Sequence, residues 1–317
     1  MAGKSENETS RLDDAARAGW LYYVAGNTQD EIAKKLGVSR QSAQRLVSLA
    51  VSERLIKVRL DHPIAHCMEL SVKLRKKFDL EKCEVVPSDP TSQSSTVGIA
   101  EAASEEMERY LKSSKPLIIA MGTGRTLRAA VEQLPPMDCP QHRIVSLVGN
   151  IASDGSASMY DVIIRIADTV KAPHFPMPLP VIASTAQERA LLQDQKPMRN
   201  ILDLAAQADV TFVGIGSMDD QAPLLDDQFI TRDELRALRR AGAVGEIVGF
   251  VFDGNGDLIE GLTNDRVAGA ELTRDPEKPV FGIAAGAHKV PAIKAALNGK
   301  LINALITNEI TAEQLLE

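Results

Sequence analysis

From Cys83 onward the chain repeats one pattern, a short apolar run, a turn and then a stretch of helical period. The runs 84–87, 116–121, 143–148, 162–166, 181–183, 210–214, 249–252 and 280–284 read as strands. The stretches 97–112, 127–134, 185–193, 200–208, 231–241 and 290–298 read as helices between them. Strands that are apolar on both faces need cover on both sides, and intervening helices provide it when the sheet is parallel. The expected class is therefore α/β, with any ligand at the carboxyl ends of the strands.

The first sixty or so residues break that pattern. Residues 1–10 are polar and read as a disordered tail, and 12–26 form a helix whose Trp20, Tyr22, Tyr23 and Val24 are expected to pack on Ile32 and Leu46. Between Thr28 and Val47 two short helices meet at a turn. Ile32, Ala33 and Leu36 share one face, Gly37 sits at the turn, Val38 is placed to return to the core, and Ser39 is suited to cap the second helix. Leu46, Val47 and Ala50 give that helix its apolar face, leaving Arg40, Gln41, Ser42, Gln44 and Arg45 outside. Arg and Gln make paired hydrogen bonds to base edges, and Ser and Arg suit phosphates. The pattern reads as a helix-turn-helix, against a plain αα-hairpin with a solvated charged face. Thr28, Gln29, Ser39, Arg40, Gln41, Ser42, Gln44 and Arg45 are its candidate DNA-contacting residues. The strand-period run Leu55 to Leu60 puts Ile56, Val58 and Leu60 on one face and Lys57 and Arg59 on the other, a basic wing that adds Lys57 and Arg59 to the set.

At 317 residues the chain exceeds one ordinary domain, and the change of pattern places a boundary after residue 62, giving 1–62 and 63–317. The net charge of -7 argues against uniform coating of nucleic acid. From Asn27 to Arg59, however, seven basic residues face three acidic ones. A basic small unit on an acidic body fits a DNA reader whose larger part has another task. The three cysteines are dispersed and lack a C-x-x-C, so they suggest neither disulfides nor zinc, and His62, His66 and Cys67 lack a fourth ligand at metal spacing. No run is apolar for the length of a membrane helix. The expectation is a soluble cytoplasmic protein with no metal and no cofactor.

Four strand ends carry small or polar residues. Met121-Gly122-Thr123-Gly124-Arg125-Thr126-Leu127 leads from a strand into a helix, and its Gly122, Thr123, Gly124, Arg125 and Thr126 suit an anion or sugar. It is equally readable as an ordinary strand-to-helix turn. It is no dinucleotide fingerprint, since Leu127 stands where the third glycine belongs. The others are Gly214-Ile215-Gly216, Ala243-Val244-Gly245-Glu246 and Ala285-Gly286-Ala287-His288-Lys289. Glu246 suits sugar hydroxyls and Lys289 suits an anion, while each reads otherwise as a surface charge. Asp253-Gly254-Asn255-Gly256-Asp257 imitates a calcium loop but has Leu258 and Asn264 where glycine and glutamate are required. It reads as a hairpin turn, with Asp253 able to face the pocket.

Taken together, the chain resembles the SorC family of bacterial sugar-responsive regulators. The resemblance spans nearly its whole length. It is carried by Tyr22-Tyr23 with Thr28-Gln29-x-Glu31-Ile32-Ala33-x-x-Leu36-Gly37-Val38-Ser39-Arg40, then Gly124-Arg125-Thr126-Leu127, Gly214-Ile215-Gly216, Gly242-Ala243-Val244-Gly245-Glu246, and the tail from Ile293 to Glu309. It implies a winged helix-turn-helix joined to a domain of sugar-phosphate isomerase or deaminase fold. It also implies a tetramer, operator DNA as partner, and a sugar, polyol or sugar-phosphate effector lined by Gly122 to Thr126, Glu246 and Lys289. Gly216 and Asp253 complete the candidate effector set. The family's Ala-Gly-Gly before the lysine is here Ala285-Gly286-Ala287. The alternative is a sugar-phosphate isomerase or deaminase with an appended DNA-binding domain. Against catalysis, Ser217-Met218-Asp219-Asp220 stands where related deaminases have Asp-Gly-His, so a histidine is missing.

Overall fold

The computed structural model describes residues 2–53, 55–56, 64–89, 96–152, 155–156, 162–272 and 275–317, with side chains from residue 11 onward. The chain divides into two compact units, Met1–His62 and Pro63–Glu317.

The first unit contains α1 (Ala2–Tyr23), α2 (Gln29–Leu36) and α3 (Arg40–Ser52). Helix α1 begins at Ala2, so the expected disordered tail is instead helical. Both later helices start as their sequences dictate. Thr28 and Glu31 form a reciprocal capping box on α2, and the Ser39 hydroxyl accepts from the Ser42 amide at 3.1 Å. Gly37 ends α2 at φ 66, a left-handed conformation that favours glycine. The core is Ala18, Ile32, Ala33, Ala43 and Val47, with Leu21, Leu36 and Leu46 against it. Trp20, Tyr22, Tyr23 and Val24 are exposed, against expectation, as is Val38. The cause is close approach of α1 to α3. A side-chain carbon on Gly19 would run into the Ile56 side chain and lie 2.8 Å from the Ala50 methyl, so only glycine fits that contact and the bulky residues of α1 point outward. Of the expected wing only Leu55 and Ile56 are described, both in a bend, and the rest, Lys57 and Arg59 included, lies outside the described residues.

The second unit opens with α4 (Ala65–Phe78), β1 (Lys82–Val86), α5 (Ile99–Leu111), β2 (Ile118–Met121), α6 (Arg125–Gln133), β3 (Arg143–Ile151), α7 (Ile163–Val170) and β4 (His174–Pro180). It continues through α8 (Ala186–Gln193), α9 (Lys196–Ala206), β5 (Val210–Gly214), β6 (Gly216–Ser217), α10 (Pro223–Asp226), α11 (Arg232–Arg240), β7 (Ala243–Ile247) and β8 (Phe250–Asp253). It closes with β9 (Val280–Ile283), α12 (Val290–Asn298), β10 (Ala304–Asn308) and α13 (Glu309–Leu316). Seven strands form one parallel sheet in the order β1-β10-β9-β5-β2-β3-β4. One buried cluster contains Phe212 and Phe281, stacked at 5.1 Å; a second contains Val213, Ile215 and Phe252. The α/β class with a large parallel sheet is thus observed.

Three strand expectations change. Residues 162–166 open α7, whose buried Ile163, Ile166, Ala167 and Val170 follow helical spacing despite the β-branched run. Residues 181–183 make only an isolated bridge, Ile182 to Val267, and the strand is the preceding β4, whose prolines suit an edge position. Glu246 lies within β7 rather than a strand-end loop. Strand β7 pairs antiparallel with β6 and β8 in a separate small sheet, and Gly249 belongs to the turn before β8.

The buried Asn264 side chain anchors that small sheet. Its Oδ1 accepts from the Val251 amide at 2.8 Å, and its Nδ2 donates to the Val251 and Ile259 carbonyls, each at 2.7 Å. Asn264→Leu leaves the buried Val251 amide and Ile259 carbonyl without this partner, at about 1–3 kcal/mol for each, whereas the Val251 carbonyl still accepts from the Ile259 amide at 3.0 Å. We expect a loss of at least about 2 kcal/mol in urea unfolding, and a loss below about 1 kcal/mol would contradict this anchoring role.

Candidate functional site

On α3 the buried residues Ala43, Val47 and Ala50 lie opposite a stripe formed by exposed Gln41, Gln44, Arg45 and Ser48. This is helical i, i+3, i+4, i+7 spacing, so the stripe presents one continuous face. Ser48 was not singled out from the sequence, although its spacing from Gln41 was the available signal. Arg40 is exposed and its Nε lies 3.5 Å from Asp30. Ser39 and Ser42 are occupied by the cap, with their hydroxyls 2.9 Å apart. Thr28 is committed to Glu31, and Gln29 is half-buried at the start of α2.

In the second unit, β2 leads through α6 to β3 on one side of the sheet, whereas its neighbour β5 pairs with β9 on the other. The loops leaving β2 and β5 therefore diverge, and such a divergence opens a crevice at the strand ends. A cavity of about 100 Å³ lies there. Thr123, Gly124, Arg125 and Thr126 line it from the β2–α6 junction, Gly214, Ile215 and Gly216 from the end of β5, and Lys289 from the turn before α12. Gly124 has φ 124 and ψ 167, a conformation open essentially to glycine, and it lets the chain turn directly into α6. The first turn of α6 thus directs the positive end of a nine-residue helix at the cavity.

Glu246 reaches the same cavity from β7. It sits directly opposite Gly216 in the β6–β7 pair, and its Oε2 accepts from the Gly249 amide at 3.0 Å. That bond spans a two-residue turn with Val248 at φ 50 and Gly249 at φ 90, both left-handed. Val248 is β-branched, so this turn is strained, and its side chain forms part of the cavity wall. Burial pushes the Glu246 carboxyl up from the usual carboxylate range, partly offset by the Gly249 amide and Lys289. Burial likewise pushes the Lys289 ammonium down, opposed chiefly by Glu246. Both side chains keep some accessibility because they face the cavity.

Seven of the nine candidate effector residues therefore converge, namely Thr123, Gly124, Arg125, Thr126, Gly216, Glu246 and Lys289. Gly122 and Asp253 are not among the lining residues. Gly122 extends the β2 ladder, donating its amide to the Phe212 carbonyl at 2.8 Å. Asp253 Oδ1 instead accepts from the Asn255 and Asp257 amides at 2.9 and 3.0 Å, closing the hairpin turn. Asp227 and Phe229, also lining residues, had not been picked out. They follow α10 in a segment with no motif, and only the folded chain brings them to the cavity. His66 pairs with Glu313 at 3.0 Å, and no group of three potential metal ligands occurs among the described residues.

A helix-turn-helix unit, together with a unit whose cavity lies at the strand ends of a parallel sheet, has the layout of a ligand-binding transcriptional regulator. Residues 62–317 match the family Sugar-bind, described as "Putative sugar-binding domain". The chain is 34% identical over 302 residues to the erythritol catabolism regulatory protein EryD of Brucella abortus (strain 2308), covering 95% of this chain and 96% of that protein. It is 30% identical over 320 residues to the transcriptional regulator LsrR of Escherichia coli (strain K12), covering 98% and 97% of the two chains. Among solved structures, the full-length sorbitol operon regulator SorC from Klebsiella pneumoniae superposes with a TM-score of 0.73 at 26% identity, covering 96% of this chain and 98% of that one. The protein belongs to the SorC family of sugar-binding transcriptional regulators. The relatives are named regulators rather than enzymes, and no histidine lines the cavity among the described residues.

Proposed function

We propose that this protein regulates transcription of a sugar or polyol utilisation operon in the cytoplasm. In this reading a small carbohydrate, polyol or their phosphate binds the cavity of the second unit and alters operator binding by the first. The observation that carries the reading is the meeting of Thr123–Thr126, Gly216, Glu246 and Lys289, drawn from four separate chain segments, around one cavity. These groups supply hydroxyl, carboxylate and ammonium partners for a polyhydroxy ligand, and the apolar Ile215 and Val248 suit its C–H faces. The names of the relatives, one an erythritol catabolism regulator and one a sorbitol operon regulator, support a polyol or sugar as the ligand class.

DNA contact is assigned to the α3 stripe with Arg40, and to Lys57 and Arg59. We further propose a homo-oligomer, with a tetramer as the family resemblance implies. Paired helix-turn-helix units on spaced half-sites make affinity depend on whether the second unit reaches its site. A ligand changes that geometry only if it binds the two arrangements with different affinity. No described helix is long and apolar enough to span a membrane.

A thermal-shift screen of sugars, polyols and their phosphates, followed by operator binding with each hit, tests the proposal. A ligand at a hundred times its Kd stabilises a protein that binds it only when folded by about 2.7 kcal/mol. The expected hit raises the melting temperature and changes operator affinity. A hit that is turned over to product, or a set of compounds none of which shifts the melting curve, defeats it.

A further inference from the structure

The charges around the cavity bear on which form of carbohydrate it takes. Arg125 begins α6, where a phosphate would ordinarily be held by the helix N-terminus and the guanidinium together. Here the guanidinium is already faced by acids. Its Nη2 lies 3.8 Å from Asp226 Oδ2 and 3.9 Å from Asp227 Oδ1, and Asp227 itself lines the cavity. The other lining cation, Lys289, has Glu246 as its principal counter-charge. Two cations are thus matched by three carboxylates.

A phosphate entering this site has to compete with Asp226 and Asp227 for Arg125 and adds negative charge beside Asp227 and Glu246. Burial already pushes both of those carboxyls up, so the cavity disfavours the charge they carry. An uncharged ligand meets no such opposition. Its hydroxyl groups donate to Asp227 and Glu246 and accept from Lys289, and the Thr123 and Thr126 hydroxyls serve in either direction. Val148, Val181 and Phe229 offer apolar wall to its carbon skeleton.

We propose that the effector is an uncharged polyol or sugar, and that Asp226 and Asp227 are the residues that discriminate against its phosphorylated form by occupying Arg125. The proposal rests on the reading of this cavity as the effector site. Calorimetric titration of the full chain with glycerol, erythritol, xylitol, sorbitol, ribose and glucose, each against its terminal monophosphate, tests it.

At least one uncharged compound is expected to bind at least tenfold tighter than its phosphate. In Asp226→Asn/Asp227→Asn that preference is expected to fall at least tenfold, because the two carboxylates no longer compete with the phosphate for Arg125. The wild-type comparison stands whether or not the double variant folds. Tighter binding of a phosphate by the wild type overturns the inference and leaves the effector-site reading intact. Binding of neither form of any compound overturns both. An unchanged preference in the folded double variant overturns the role given to the two aspartates.

Discussion

Arg40→Ala/Arg45→Ala is expected to weaken operator binding by two orders of magnitude or more while leaving effector binding unchanged. Each arginine is worth about 1–3 kcal/mol if it reads a base edge, and each phosphate contact removed lowers the salt dependence of binding by about one unit of slope. Both side chains are exposed, and the Ala18, Ile32, Ala43 and Val47 core beneath them is untouched, so the unit keeps its fold. Loss of the Arg40–Asp30 pair at 3.5 Å does not alter that, since exposed ion pairs contribute little. Fluorescence anisotropy on labelled operator across a salt series is the measurement, with Arg236→Ala, on an exposed helix of the second unit, as the control. Operator affinity and salt slope equal to those of the wild type would remove α3 from the DNA interface.

The helix-turn-helix was legible because its signals are local. A capping serine, a glycine at a left-handed turn and apolar residues three and four apart act within a few residues of one another. What the sequence did not disclose was which apolar residues of α1 face inward. Helical periodicity allowed Trp20, Tyr23 and Val24 a buried face, but Ala15, Ala18 and Gly19 let α1 lie close to α3, and a close approach leaves no room for rings. The parallel sheet was legible from its alternation, yet β4 was hidden by its prolines and α7 by its β-branched start. Strand order is a long-range property. Only the order shows that the chain diverges after β2 and β5, and that divergence explains why the Thr123–Thr126 and Gly214–Gly216 segments meet at one cavity. Asp253 and Glu246 were both acids near predicted strand ends. Pairing separates them, since Glu246 faces Gly216 across β6 and β7 whereas Asp253 turns back on its own hairpin.

That pairing makes Gly216→Ala the substitution with the largest expected effect on sensing. A side-chain carbon at residue 216 would lie 2.9 Å from Cγ and Cδ of Glu246 and closer still to Oε1, so the carboxylate has to move. Moving it withdraws the acceptor from the Gly249 amide, the bond that spans the strained Val248–Gly249 turn. Overpacking of this kind costs about 1–3 kcal/mol, and the chain is expected to remain folded with a lowered melting temperature. Effector binding should fall by a hundredfold or more, because the displaced group is a hydroxyl acceptor and the cavity is small. Operator affinity without effector should stay near that of the wild type, leaving a regulator locked in its unliganded response. Calorimetry with whichever ligand the screen yields, run beside operator binding with and without that ligand, separates the two effects. Effector affinity in Gly216→Ala within threefold of the wild type would show that the position of Glu246 over Gly216 does not govern recognition.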